Sequence, residues 1–130
     1  MKEITLPSGV LLRISLAPFD EAERLRETAF EEMKTIDLNP DKEMDANFYK
    51  NLFCTAFSSN KFKEALKPCM ARALYGDNKC HLSSTWESPE AREDYMAVLS
   101  EVAKENLTPF LKGLTSSLKA LSQVIQGAQT

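Results

Sequence analysis

The chain has a single histidine, His81, directly following Cys80, and a thiol beside an imidazole is the raw material of nucleophilic catalysis with a general base. Neighbouring side chains usually diverge, no second histidine is available to serve from elsewhere, and nothing around Cys80 in the sequence favours a thiolate. A structural cysteine is the expectation. Cys54, Cys69, Cys80 and His81 together count as four zinc-ligand types, but they lack the paired short spacing of zinc knuckles and ribbons, so no metal is expected. Glu31/Glu32, Glu90/Glu93/Asp94 and Glu101/Glu105 offer carboxylates for acid–base work. Their placement, at the polar edge of one amphipathic helix, at the start of another and on an exposed face, assigns them to solvation and helix-dipole effects. The glycines stand singly, which leaves no phosphate-cradling loop. Phe48, Phe53, Phe57 and Phe62, interleaved with Lys50, Lys61 and Lys63, have the composition of a stacking surface for single-stranded nucleic acid, yet their spacing suits buried helix faces. Neither a catalytic residue nor a cofactor is expected.

Composition supports that exclusion. A net charge of -3 and a pI near 5.2 supply no basic face for nucleic acid. At 130 residues, 43% apolar and 27% charged, the chain is one ordinary domain, 1–130, able to bury a core without staples. Three widely spaced cysteines fit a reducing cytosol better than a disulfide scaffold. No apolar run approaches the roughly 20 residues of a spanning helix, so neither export nor a membrane is expected. Local charge does vary: Asp20 to Glu32 is acidic, whereas Lys61 to Arg72 holds four bases and one acid.

The elements that must position these residues begin with a β-hairpin over 2–16. Ile4/Leu6 and Leu12/Ile14/Leu16 alternate on either side of Pro7-Ser8-Gly9, where proline fixes φ and glycine accepts a positive φ. Such a hairpin is marginal alone, so it must cover a helix or pair with another copy. A helical region over 19–126 follows. Asp20 is a plausible N-cap for a helix buried through Ala22, Leu25, Ala29 and Met33, with Phe30 beside them. Phe48, Leu52, Phe53, Ala56 and Phe57 mark a second helix, and Phe62, Ala65, Leu66, Met70 and Leu74 a third around Pro68. Tyr75 to Lys79 reads as a polar turn and Cys80 to Trp86 as irregular. Ser88-Pro89-Glu90 starts a fourth helix, running through Tyr95, Val98, Leu99 and Val102 to Asn106, with a fifth beyond Pro109. The fold class expected is mainly α with a small N-terminal hairpin (α+β), a compact domain of about five helices.

The last of these helices carries a seam. Leu107, Leu111, Leu114, Leu118, Leu121 and Ile125 are spaced alternately four and three residues apart, a heptad pattern that seeks a packing partner. Leu111, Leu114, Leu118, Leu121 and Ile125 are the expected contacts with a partner or a neighbouring copy, and Tyr95 and Phe110 are expected to set the angle between the last two helices.

Leu6-Pro7-Ser8-Gly9-Val10 followed by Ile14-Ser15-Leu16-Ala17-Pro18-Phe19 and an acidic helix, with the later Ala91-Arg92-Glu93-Asp94-Tyr95 and Glu105-Asn106-Leu107-Thr108-Pro109-Phe110, resemble the tail assembly chaperones of long-tailed bacteriophages and prophages. The likeness covers about half the chain, at its two ends, and the middle helices match only in general character. The resemblance implies a non-enzymatic protein of the bacterial host cytoplasm that binds the tape-measure protein and keeps it soluble while tail-tube protein polymerises around it. It also implies self-association into a homo-oligomer and, in some members, a longer form made by frameshifting. The alternative within the same system is a virion structural protein such as a tail completion or head–tail connector subunit. Neither nucleic acid nor membrane is expected as a partner.

The seam generates one prediction. Replacing Leu114 and Leu118 together by Asp should disrupt the monomer or its assembly, followed by circular dichroism and sedimentation. Retained helicity with lost association marks an interface, global unfolding marks core, and a variant unchanged in both contradicts the seam.

Overall fold

The computed structural model describes the backbone of residues 1–33, 57 and 59–128, and the side chains of these apart from Glu32, Met33, Leu111 and those beyond Gly113. In chain order the elements are β1 (Lys2–Thr5), β2 (Leu11–Ile14), α1 (Phe19–Met33), α2 (Asn60–Met70), β3 (Ala73–Tyr75), β4 (Asn78–Lys79), a single 3-10 turn (Ser83–Trp86) and α3 (Pro89–Ala128). The four strands form one antiparallel sheet in the order β1-β2-β3-β4. Among the described residues there are thus three α-helices and a four-stranded sheet, which corrects the expectation of about five helices with a hairpin alone.

The first hairpin forms as its turn chemistry dictates. The Gly9 amide donates to Leu6 O at 2.8 Å and the Leu6 amide to Val10 O at 2.9 Å, with Gly9 at φ +91°. This is a three-residue connection whose last position needs a left-handed backbone, which glycine adopts without a Cβ penalty. Leu12 and Ile14 face inward and Leu11 outward. Leu16 lies beyond the strand, where the alternation has ended, and is 60% exposed.

A second hairpin interrupts the stretch 19–126 assigned to helices. α2 ends at Met70, and Leu74, expected on that helix, sits in β3 opposite Arg13. The register pairs Leu12 with Tyr75 and Ile14 with Ala73, so one face of the sheet is continuous with the core. Gly76 and Asp77 make the two-residue link between β3 and β4; Gly76 has φ +60°, and among the described residues no non-glycine residue has a positive φ. A lone glycine at the first central position is the signature of a type II′ turn, whose twist suits a hairpin. The polar turn expected at Tyr75 to Lys79 is therefore the end of a hairpin.

Helix starts follow local chemistry unevenly. At α1 the first amide bond runs from Ala22 N to Pro18 O at 3.0 Å, so Asp20 lies inside the first turn, where its charge suits the dipole, and is not the cap. Ala22, Leu25 and Ala29 are buried as the spacing requires. At α2 the Ser59 hydroxyl accepts from the Phe62 amide at 3.3 Å. At α3 the Ser88 hydroxyl accepts from the Ala91 amide at 3.2 Å, with Pro89 in the first helical position. The expected second helix, around Phe48, Leu52, Phe53 and Ala56, lies outside the described residues.

α3 is 40 residues long and passes through Pro109 without a break, which corrects the expectation of two helices there. Proline removes one amide donor, and the Thr108 hydroxyl donates to Lys104 O at 2.6 Å beside the gap. Tyr95 and Phe110 consequently set no interhelical angle. Tyr95 instead packs on Trp86 with ring centroids 4.9 Å apart, and Phe110 packs on Phe19 at 6.3 Å and beneath the Arg26 guanidinium at 5.9 Å.

The buried stripe of α3 contains Ala91, Val98, Leu99, Val102, Ala103 and Leu107, and two polar residues within it, Asp94 and Asn106. Asn106 Oδ1 accepts the Ala17 amide at 3.0 Å, and its Nδ2 donates to Val102 O at 2.9 Å. The Asp94 carboxyl accepts hydrogen bonds from the Ser8 hydroxyl and, at 2.7 Å, from the Tyr75 hydroxyl. Asp94 and Asn106 are twelve residues apart, about 18 Å along the helix. The tip of the first hairpin is thereby tied to one point on α3 and its exit to another.

Removing the second tie should be costly. Asn106→Ala leaves the Ala17 amide buried without a partner and should cost about 1–3 kcal/mol in urea unfolding. Lys2→Ala breaks only the half-exposed ion pair to Glu105, at 3.5 Å, and should change stability by less than about 1 kcal/mol. Equal effects from the two substitutions would contradict the role given to Asn106.

Candidate functional site

A groove of about 880 Å³ lies between α2, the segment 80–87 and the first third of α3. Its apolar lining comes from Phe57, Leu66 and Met70 on one side, Tyr95, Met96 and Leu99 on the other, and Trp86 between them. Phe57 and Phe62, two of the phenylalanines weighed as a nucleic-acid stacking surface, are buried against each other with centroids 5.6 Å apart; Phe48 and Phe53 lie outside the described residues. Met96 is 53% exposed and Tyr95 38% exposed, so the α3 wall reaches solvent. Adjacent exposed apolar side chains beside a groove make this wall a candidate interaction surface.

The wall formed by segment 80–87 is held firmly by its own polar groups. The Trp86 indole N–H donates to Cys80 O at 2.9 Å, the Thr85 hydroxyl donates to Lys79 O at 2.6 Å, and the Arg92 guanidinium donates to Trp86 O at 2.9 Å. Trp86 is further clamped between Tyr75 and Tyr95, each with its ring centroid 4.9 Å away. A ring fixed in this way presents apolar area without losing rotamer entropy on binding.

The rim is charged. Lys63, Glu64 and Lys67 stand along α2, and Glu87 and Arg92 face them across the groove, ion-paired to each other at 3.7 Å. Among the described residues neither Lys63 nor Lys67 enters an ion pair.

The pair of residues with nucleophilic potential lies at this groove. Cys80 and His81 both contribute to its lining, but Cys80 is buried and His81 is exposed. Burial pushes the Cys80 thiol up to about 12, away from the thiolate form. Cys69 is also a free, buried thiol, pushed to about 12 by burial and by the nearby Glu21. Cys54 lies outside the described residues. Among the described residues no cluster of three or more His, Cys, Asp or Glu side chains could hold a metal ion.

Of the paired carboxylates, Glu90 and Glu93 are exposed, and Glu105 meets Lys2. Asp94 departs from the expectation of a solvated residue at a helix start: it is 2% exposed and engaged by two hydroxyls. Burial first, then the hydrogen bond to Asp94, raise the Tyr75 phenol above its ordinary value. Asp94 thus ties the first hairpin and β3 to α3.

The side chains of the seam residues Leu111, Leu114, Leu118, Leu121 and Ile125 lie outside the described residues, although their backbone continues α3. The groove was not anticipated. Its traces in the sequence are the basic cluster over Lys61 to Arg72 and Met96, which lies off the buried stripe of its helix.

No family model, curated protein or solved structure matches the chain. Among the described residues no helix is long and apolar enough to cross a membrane.

The buried thiols set an alkaline limit on the fold. An unfolded thiol ionises near 9, whereas Cys69 and Cys80 hold their protons to about 12 in the native chain. Because the native state then binds more protons, this stabilisation is complete below pH 9 and is lost as the pH climbs towards about 12; the Tyr75 phenol acts in the same direction at the upper end. Urea midpoints should fall from about pH 9 towards about pH 12, and fall less steeply in a Cys69→Ala/Cys80→Ala variant. Parallel pH profiles for the two proteins would contradict this assignment.

Proposed function

We propose that the chain is a non-enzymatic tail assembly chaperone of a long-tailed bacteriophage or prophage, acting in the cytoplasm of the bacterial host on the tape-measure protein. The observation that carries the reading is the open groove between α2 and α3, with Tyr95 and Met96 at the surface and Trp86 fixed in its wall. The identity of the client rests on the resemblance of the two ends of the sequence to that family.

The physics of the task matches the groove. A long helical client awaiting its tube exposes apolar stripes to water, and a binder lowers the free energy by removing water from both surfaces. Helix-in-groove binding reads anchors at i, i+3, i+4 and i+7, which suits a repetitive helical client. Catalysis is not required, and Cys80, the nucleophile candidate in this groove, is buried as a neutral thiol. Self-association through the seam from Leu111 to Ile125 would array several grooves along one client and multiply weak contacts into avidity.

Coexpression with the tape-measure protein encoded by the same phage or prophage tests the proposal. The tape-measure protein should become soluble and copurify. Met96→Asp should abolish copurification while changing the chain's own stability by no more than about 0.5 kcal/mol, as expected for a surface substitution. An insoluble tape-measure protein beside a folded, abundant chain would overturn the reading. Recovery of the chain in purified particles would then favour a tail completion or connector subunit.

A further inference from the structure

We infer that the groove selects an acidic amphipathic helix, with carboxylates flanking its apolar anchors. The inference rests on the groove being the client site and names the chemistry of the segment it takes.

The charge distribution carries it. The whole chain is acidic at -3, yet α2 has three lysines, Lys61, Lys63 and Lys67, against one acid, Glu64. Lys63 and Lys67 are four residues apart and so stand one above the other on the helix, about 6 Å apart. Both border the groove, both are exposed, and neither enters an ion pair among the described residues. Across the groove Glu87 and Arg92 neutralise each other. With Glu64 also on the rim between the two lysines, one net positive charge remains, and it lies on the α2 side.

The spacing also selects secondary structure. Two carboxylates at i and i+4 of a bound helix lie at the same separation as Lys63 and Lys67 when that helix runs along α2. Its apolar stripe then faces Leu66, Met70, Met96 and Leu99. A basic helix in the same seat would set like charges against the two lysines, and such juxtaposition opposes binding. The acidic helix of a second copy, α1, already buries its apolar stripe of Ala22, Leu25 and Ala29 in its own core, which favours a different protein as occupant.

Trp86, the only tryptophan of the chain, lines the groove and reports its occupancy. The probes are two tryptophan-free synthetic peptides of about 18 residues, roughly 27 Å as helices, with one leucine stripe and either glutamates or lysines flanking it. Titration into the purified full chain should shift Trp86 emission saturably, with the glutamate peptide binding roughly ten-fold tighter at low salt and the preference shrinking as salt screens the charges. Lys63→Glu/Lys67→Glu should reverse the order of the peptides, while circular dichroism stays unchanged.

Equal binding of both peptides, tighter binding of the lysine peptide, or no reversal in the double variant would overturn the inference. So would a Trp86 shift that depends on protein concentration alone and coincides with a sedimenting dimer, since the occupant would then be a second copy. The two failures are separable. Solubilisation of the tape-measure protein without glutamate-peptide preference removes the inference and leaves the chaperone reading standing. Glutamate-peptide preference without solubilisation retains the acidic-helix site and removes the tape-measure protein as its client.

Discussion

The Asp94 carboxyl group is buried on α3, and three separate parts of the chain meet at it. Ser8 comes from the turn of the first hairpin, Tyr75 from β3, and Asp94 itself from the first turns of the long helix. A polar group inside a core is expensive unless its hydrogen bonds are made, so the register of both hairpins against α3 is specified here more sharply than apolar packing alone would specify it. Tyr75 then supports Trp86, Trp86 supports Tyr95, and the fixed wall of the groove follows. The groove wall is in this sense a consequence of a buried polar tie.

Asn106 repeats the device near the other end of the sheet. By accepting the Ala17 amide it holds the exit of β2, from which α1 departs, against the same helix. α1 in turn buries Leu25 and Ala29 in the core shared with Phe62 and Leu66 of α2. The path from α3 through the hairpin and α1 to α2 therefore positions the second wall of the groove. Each wall is linked through its neighbours to one buried polar residue of α3, Asp94 or Asn106, and the apolar core fills the space between.

The sequence made the chemistry of turns and caps legible where a residue type has one physical role. Pro7 with Gly9, and Ser88 with Pro89, have few alternative readings, and both features form as expected. Ala73-Leu74-Tyr75 failed for the opposite reason: three residues are too few to show alternation, and Leu74 continued the apolar spacing of the preceding helix. The Gly76-Asp77 pair held the turn signal, but a glycine after a helix is also the ordinary sign of its end. Pro109 reads as a boundary because proline costs helix stability, a penalty that the length and packing of α3 override. The groove itself could not be read from spacing, since its walls come from segments brought together only by the sheet. Its basic rim was visible as a cluster of charge without a stated purpose.

The central claim is that client binding takes place between α2 and α3. Hydrogen exchange of the full chain, alone and with its solubilised client, addresses it most directly. The account predicts slowed exchange in the client complex over α2 and over residues 82–99, with β1 and β2 unchanged. Slowed exchange elsewhere, with α2 and residues 82–99 exchanging as in the free chain, would contradict it.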